Sequence, residues 1–96
     1  MPDDKVITPE QARERAEARL AAMPFPGDLV IIRVEEFELG WVFFYDSLEH
    51  QKSGLFTDAI GGNAPLIVDR RDGKVHVTGT AQPTSHYVDE YLRSAT

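Results

Sequence analysis

Residues 62–80 have the sequence GNAPLIVDRRDGKVHVTGT, and this stretch decides the fold. Pro65 has no amide proton to donate, so it belongs at the beginning or edge of a strand that continues through residues 66–68. Residues 69–74 predict a tight reversal in which Gly73 supplies the positive φ of a hairpin loop. Valines then alternate with polar residues on a second strand. The stretch therefore predicts a β-hairpin, and none of its residues is an obvious catalyst.

A second hairpin is predicted upstream, where two β-rich runs are joined near Leu39-Gly40. Alternation over residues 29–38 predicts one face with Val30, Ile32 and Val34, and another with Leu29, Ile31, Arg33, Glu35 and Phe37. The second run is expected to place Trp41, Phe43 and Tyr45 on one face and Val42 and Phe44 on the opposite one. Residues 46–61 are polar and contain glycine, so they predict an irregular loop with room for a short helical turn near 57–60.

Helices are predicted on both sides of this β-rich region. Thr8, Pro9 and Gln11 form a capping box with proline at the first helical position. The N-terminal helix then carries one narrow apolar stripe, which consists of Ala12, Ala16, Leu20 and Met23. Residues 83–85 open a C-terminal helix with its own apolar face, which consists of Tyr87, Val88, Tyr91 and Leu92.

The order of elements is helix, two strands, loop, two strands and helix, which indicates an α+β fold. We expect an N-terminal helix packed on a four-stranded antiparallel sheet of two hairpins, with a short C-terminal helix. A chain of 96 residues makes a single domain, residues 1–96, with an ordered core of about residues 8–92. The long helix covers one face of the sheet, which leaves the other face as the natural place for a partner.

Composition excludes several classes of protein. Apolar residues make up 42% and charged residues 27% of the chain, as in an ordinary water-soluble domain. Cysteine is missing, which excludes disulfides and thiolate metal sites. The net charge of −6 argues against nucleic acid, and no apolar run approaches the ~20 residues that span a bilayer. The acidic N-terminus lacks the features of a signal peptide, so we expect a cytoplasmic protein without a membrane partner.

Acidic residues concentrate around the first hairpin. Between Asp28 and Asp58, seven acidic residues are opposed only by Arg33 and Lys52, so this segment carries −5 and the rest of the chain only −1. Such a segment can be a solvated face that keeps the protein in solution. It can also steer a basic partner toward the hairpin and raise the association rate. The sequence leaves both interpretations open.

The search for catalytic and metal-binding motifs is negative. His50, His76 and His86 lack the spacing that places two ligands on one helix face, so no metal site is predicted. No phosphate loop or other cofactor motif occurs, and no cofactor is expected. Adjacency of Ser85 and His86 does not orient an imidazole as a base for the hydroxyl. Without a nucleophile, base and orienting group, the chain is not expected to be an enzyme, and a small hydrolase is the weakest hypothesis.

A binding surface is therefore sought among the charged and aromatic residues of the first hairpin. The aromatic run is expected to be core first, because alternating aromatic residues in a strand usually pack. A ring that faced outward would supply an anchor, since tryptophan and tyrosine concentrate at interfaces. The candidate partner-binding residues are Glu35, Glu36, Glu38, Trp41, Tyr45 and Asp46. Asn63 and Pro65 are assigned backbone roles, as a turn residue and a strand start.

Several segments together resemble one family of small bacterial proteins. They are GWVFFY at 40–45, GNAPLIVD at 62–69, Asp72-Gly73, Gly79-Thr80, and the spaced Tyr87 and Tyr91. The combination resembles the immunity protein 35 family, which includes the YrhB-like proteins, over about residues 8–92. The resemblance implies a non-catalytic protein that binds and neutralises a cognate toxin of a polymorphic toxin system. It alternatively implies a heat-shock-linked, chaperone-like role, and it carries no catalytic residue over.

The two implied roles predict different partners. A toxin-binding protein has one tight partner, here expected to be a basic toxin domain, and acts as a monomer or weak homodimer. A holdase-like chaperone exposes an apolar patch of several hundred Å² and binds many unfolded proteins weakly. The high local charge of the first hairpin counts against the second role.

Overall fold

The first helix begins where its capping box predicts. The computed structural model describes residues 6–24, 27–49, 64–79 and 81–94 of the chain. Helix α1 spans Pro9–Ala21, and Thr8 Oγ1 accepts a hydrogen bond from the Gln11 backbone amide at 3.1 Å. The Gln11 side chain in turn accepts a hydrogen bond from the Thr8 backbone amide at 2.9 Å. The predicted box is confirmed, and it satisfies amide donors that a helix start leaves without helical partners.

Four antiparallel strands form one sheet in the order β1–β2–β3–β4. The strands are β1 (Leu29–Phe37), β2 (Gly40–Ser47), β3 (Leu66–Asp69) and β4 (Val75–Val77). They form the two predicted hairpins, which are joined through β2 and β3 at the centre of the sheet. Gly73 has a φ of 74° in the reversal before β4, as its loop position predicts. Helix α2 (Thr84–Ser94) completes the predicted α+β fold.

The sheet face beneath α1 holds the hydrophobic core. On α1 the buried residues are Ala12, Ala16 and Leu20 of the predicted stripe, whereas its fourth member, Met23, lies beyond the helix end and is only partly buried. On the strands the buried residues of this face are Trp41, Phe43, Tyr45, Leu66 and Val68. The interpretation of the aromatic run as core is therefore confirmed for its three α1-facing rings. Because alanine has the smallest side chain that still favours a helix, the α1 backbone can lie close to these rings.

Two predictions about the first hairpin are wrong, and the first concerns its length. Asp46 and Ser47, expected in an irregular loop, are the last residues of β2. They lie opposite Val30 and Leu29, so the ladder continues to the beginning of β1. Polar side chains at a strand end misled the prediction, because the backbone pairing does not depend on them.

The second wrong prediction is the strict alternation of β1. The register shifts between Ile31 and Arg33, which inserts one extra residue into the strand. Ile31 lies opposite Tyr45 and Val34 lies opposite Phe43, so both belong to the α1 face. The prediction placed them on different faces because it continued the alternation without a bulge. The inserted residue reverses the facing of every residue that follows it.

Helix α2 lies against the opposite face and covers it incompletely. None of the α2 residues is buried, and its predicted apolar face is half-buried at every position. The Tyr91 ring meets the Phe37 ring edge-on, with 6.3 Å between centroids. The predicted helical turn near 57–60, the turn residue Asn63 and the loop histidine His50 lie outside the described residues.

Candidate functional site

Three glutamates lie at the closed end of the first hairpin. Glu35 and Glu36 are near the end of β1, Glu38 is in the turn that follows, and all three are exposed. In the described part of the chain no ion pair to Glu38 is present. The hairpin end is therefore exposed and negatively charged, with a net charge of −1 after Arg33 and Arg70 pair with Glu35 and Glu36. Whether it binds a partner stays a prediction.

Arg70 connects this hairpin end to the rest of the sheet. Its Nη2 donates to Glu36 Oε2 and to the Phe37 carbonyl oxygen, each at 2.8 Å. Its guanidinium carbon also lies 4.8 Å from the centroid of the Trp41 ring. These contacts hold the hairpin end in one position, because a planar guanidinium fixes the direction of each hydrogen bond. A partner would thus meet a charged surface that is already ordered.

Arg33 lies on the other side of the same hairpin. Its Nη2 is 3.3 Å from Glu35 Oε2, and both side chains are more than half exposed, at 61% and 54%. Its guanidinium carbon stacks 4.2 Å from the centroid of the Phe44 ring. An exposed pair of this kind contributes about 0–1 kcal/mol and is screened by salt, so a partner can displace it at small cost.

The remaining sequence-predicted site residues are buried. Trp41, Tyr45 and Asp46 expose 4%, 6% and 8% of their surface. Both rings face α1, so neither meets the condition of facing outward that an anchor requires. Asp46 Oδ1 accepts a hydrogen bond from the Ser47 amide at 2.7 Å. Burial also raises the pKa of Tyr45 above its usual value, against a lowering hydrogen bond with the Ala64 backbone.

A second polar group, not predicted from the sequence, joins α2 to the sheet. We call it the Asp69 cluster, and its members are Asp69, Arg71, His76 and Tyr91. Asp69, 1% exposed, accepts from Arg71 Nε at 3.0 Å and Nη2 at 2.7 Å. Its carboxylate also accepts from the Tyr91 hydroxyl at 2.5 Å, and the Tyr91 oxygen lies 3.2 Å from His76 Nε2. With the Tyr91 proton directed at Asp69, the phenol oxygen can accept from His76 in the tautomer that carries its hydrogen on Nε2.

The cluster joins α2 to the sheet through charge-assisted hydrogen bonds. The Arg71 hydrogen bonds lower the pKa of Asp69 to about 2, with a further contribution from Tyr91 and against the effect of burial. Burial, and then the hydrogen bond to Asp69, raise the pKa of Tyr91 to about 12. At neutral pH the Asp69 carboxylate is therefore ionised and the Tyr91 hydroxyl is neutral, so the hydroxyl can donate its proton to the carboxylate in a hydrogen bond. The cluster therefore positions α2, since Tyr91 is its only member on that helix.

Open grooves flank α2 on both sides. One, of about 570 Å³, lies toward β4 and is lined by His76, Tyr87 and Tyr91 among others. The other, of about 250 Å³, lies toward the first hairpin. We call it the acid-rimmed groove, and it is lined by Glu35, Phe37, Val42, Phe44, Val88 and Asp89 among others. The sheet face beneath α2 is thus accessible to solvent along both sides of the helix.

Sequence reasoning missed the Asp69 cluster and the acid-rimmed groove for different reasons. Asp69 and Arg71 are two residues apart, but Tyr91 joins them only through the tertiary fold. Alternation in the sequence did predict two residues of the groove, because it correctly placed Val42 and Phe44 on the face opposite the core rings. The missing information was the position of α2, because an amphipathic pattern identifies an apolar face without saying what it packs against.

Two features, a cluster of metal ligands and a membrane-spanning helix, are absent from the part of the chain that the structure describes. No group of three or more potential metal-ligating side chains occurs there. No helix within the described ranges is long and apolar enough to cross a membrane.

The structure is a small α+β domain with a helix on each face of one antiparallel sheet and exposed glutamates at the end of the first hairpin. The family model for immunity protein 35 matches residues 10–93, and the chain belongs to that family. The chain is also 33% identical over 92 residues to the uncharacterized protein YrhB of Escherichia coli (strain K12). That match covers 95% of this chain and 96% of YrhB. No solved structure matches the chain. The resemblance predicted from the sequence is confirmed.

Proposed function

We propose that this protein binds a toxin domain and neutralises it without catalysis, and that the acidic hairpin end contacts a basic surface of the toxin. The observation that carries the proposal is the exposure of Glu35, Glu36 and Glu38 at one end of a single hairpin. Membership of the immunity protein 35 family supports a protein partner of this kind. We expect the encounter to take place in the cytoplasm, with the protein acting as a monomer or weak homodimer.

Physical reasoning supports the hairpin end as the first point of contact. Exposed like charges on one surface attract an oppositely charged partner over about a Debye length, roughly 8 Å at physiological salt. Such steering raises the association rate more than the final affinity. The hydrogen bonds of Arg70 keep the strand ends in place, so little ordering is needed when the partner arrives.

A pull-down from the native cytoplasm, with and without heat stress, identifies the partner. We expect one stoichiometric protein whose capture does not depend on heat. Its binding surface should be rich in lysine and arginine, because these side chains complement carboxylates. A broad set of unrelated proteins that increases with heat would contradict the proposal and favour the chaperone-like role.

Charge reversal at the hairpin end tests the surface itself. The double variant Glu35→Lys/Glu38→Lys should lower the association rate of the captured toxin by about tenfold or more at low salt. It should also weaken the salt dependence of that rate. The matched control is Glu14→Lys/Glu90→Lys, which changes the net charge equally on exposed positions of α1 and α2. Stopped-flow kinetics over a range of salt concentrations measures both effects.

The comparison between the two double variants decides the outcome. A control that slows association as much as the hairpin variant would mean that only net charge matters. An unchanged rate and salt dependence for the hairpin variant would remove the hairpin end from the interface.

A further inference from the structure

The acidic hairpin end lacks the aromatic anchors that the sequence assigns to it. Interfaces take most of their binding energy from a few buried anchors, whereas exposed charges contribute little to it. Trp41 and Tyr45 lie beneath α1 and are closed to a partner. Apolar residues next to the same glutamates are instead found on the opposite face, in the acid-rimmed groove. At an interface there, the glutamates would attract a basic partner and the neighbouring apolar residues would bury one of its side chains.

The floor of the acid-rimmed groove is apolar and accessible. Phe37, Phe44 and Val88 are half-buried, and Val42 lies beneath them at 2% exposure. The groove volume of about 250 Å³ is below the roughly 300–1,000 Å³ of small-molecule pockets. Its size therefore suits one protruding side chain of a protein better than a free metabolite.

The rim of the groove is negatively charged. Glu35 lies on the β1 side and Asp89 on the α2 side, against one cation, Arg33, whereas the Glu36 carboxylate binds Arg70 on the α1 face. Arg33 pairs with Glu35 and stacks on Phe44, so it occupies the place of an incoming cation. A lysine or arginine of a partner can form the same contacts, since a cation over an aromatic face contributes about 0.5–1 kcal/mol at exposed sites. An apolar floor and an acidic rim together match the chemistry of an apolar side chain with basic neighbours.

We propose that the acid-rimmed groove receives an apolar side chain, flanked by lysine or arginine, from the toxin partner. This inference rests on the proposed function, because it names the chemistry of the segment that the toxin would present. The acidic hairpin end attracts the basic segment, and the groove between β1, β2 and α2 buries its central side chain.

A peptide titration tests the groove without knowledge of the toxin. The probe is the peptide Lys-Lys-Phe-Lys-Lys, blocked at both ends and followed by amide chemical shifts in isotope-labelled protein. We expect saturable shifts at Val42, Phe44 and Val88, with a Kd on the order of 1 mM. Replacing phenylalanine with alanine, or every lysine with glutamate, should remove saturation. Shifts confined to other regions, or equal shifts with all three peptides, would overturn the proposal.

Val88→Lys places a charge in the groove while preserving a residue suited to a helix. It should weaken peptide binding at least tenfold or abolish saturation. Val77→Lys is the matched control, because Val77 is 50% exposed on the edge strand β4 and lies outside the groove. Equal losses in both variants would overturn the proposal. Shifts that change on dilution without peptide would overturn it in favour of a second copy of this chain as the occupant.

The groove and the proposed function can fail separately. If the captured toxin binds Val88→Lys as tightly as the original protein, toxin binding stands and the groove is not its site. If the peptide saturates the groove but no stoichiometric toxin is captured, the groove stands and toxin neutralisation falls.

Discussion

The two faces of one sheet are closed in different ways. Beneath α1, the side chains of Phe43, Leu66 and Val68 expose 1% or less, and two alanines bring the helix close to them. On the α2 side, Val42 and Ile67 of the sheet are only 2% exposed, but no residue of α2 is buried, and the Asp69 cluster attaches the helix. Helix α1 is attached by close packing, whereas α2 is attached by hydrogen bonds and ring contacts around one tyrosine. We therefore expect the α1 face to contribute more to the stability of the fold than the α2 face.

The sizes of the helix side chains explain the difference. Alanines at a helix–sheet contact allow a continuous close-packed layer, in which few voids larger than a water molecule remain. Tyr91 instead extends from α2 to reach Asp69 and His76, and its ring stands between helix and sheet. The helix does not fill the space on either side of this ring. Grooves therefore lie along both sides of α2.

The largest expected effect compares two neighbouring phenylalanines that face opposite sides. Phe43→Ala should destabilise the protein by about 3–5 kcal/mol, because the ring is 1% exposed and its removal leaves a cavity in the core. Phe44→Ala should cost only about 1–2 kcal/mol, since that ring is half-buried beneath Arg33. Urea unfolding followed by circular dichroism measures both values. Similar losses for the two variants would mean that both faces are packed alike and would break the comparison.

An intermediate effect should come from Asp69, and it should depend on pH. The pKa of Asp69 in the folded state, about 2, lies below its ordinary value of 3.8, so the carboxylate stabilises the fold above pH ~4. That stabilisation is lost as the pH falls toward 2, because protonation then removes the charge that Arg71 and Tyr91 bind. Asp69→Asn should therefore cost roughly 2 kcal/mol at pH 7. The difference from the original protein should shrink toward zero near pH 2.

A control in the same turn separates this effect from general titration. Asp72 is exposed, and its Oδ1 accepts only from the Lys74 backbone amide at 2.9 Å among the hydrogen bonds of the described residues. Asp72→Asn should change stability by less than about 1 kcal/mol, because an exposed hydrogen bond contributes little. A cost for Asp69→Asn that stayed constant from pH 7 to 2 would show that the charge of Asp69 is not what stabilises the attachment of α2.

The sequence was informative where local chemistry decides the structure. Thr8 and Gln11 identify a helix start, and Gly73 identifies a turn, because each pattern has a backbone reason within a few residues. Alternation correctly separated Trp41 and Phe43 from their neighbours in β2. The family resemblance was also carried by such local segments.

The rest could not be predicted because it depends on contacts between distant residues. Nothing near Arg70 in the chain indicates that it binds Glu36, 34 positions away. The anchor role considered for Trp41 and Tyr45 required knowing which face α1 covers. The bulge in β1 has no glycine or proline to mark it. The predicted alternation therefore ran through the bulge and assigned residues on its two sides to faces that are inconsistent with each other.

That bulge gives the smallest expected effect and the sharpest test of which side chains belong to the α1 face. Ile31 packs against the core, whereas the adjacent Ile32 is 49% exposed. Ile31→Ala should cost about 1–2 kcal/mol, because a half-buried side chain loses part of its burial. Ile32→Ala should stay within about 0.5 kcal/mol, as surface substitutions usually do. The two variants remove the same atoms from neighbouring residues, so unfolding in urea compares their positions alone. A larger loss at Ile32 would mean that the strand enters the core one residue later, and the assignment of Val34 to the α1 face would change with it.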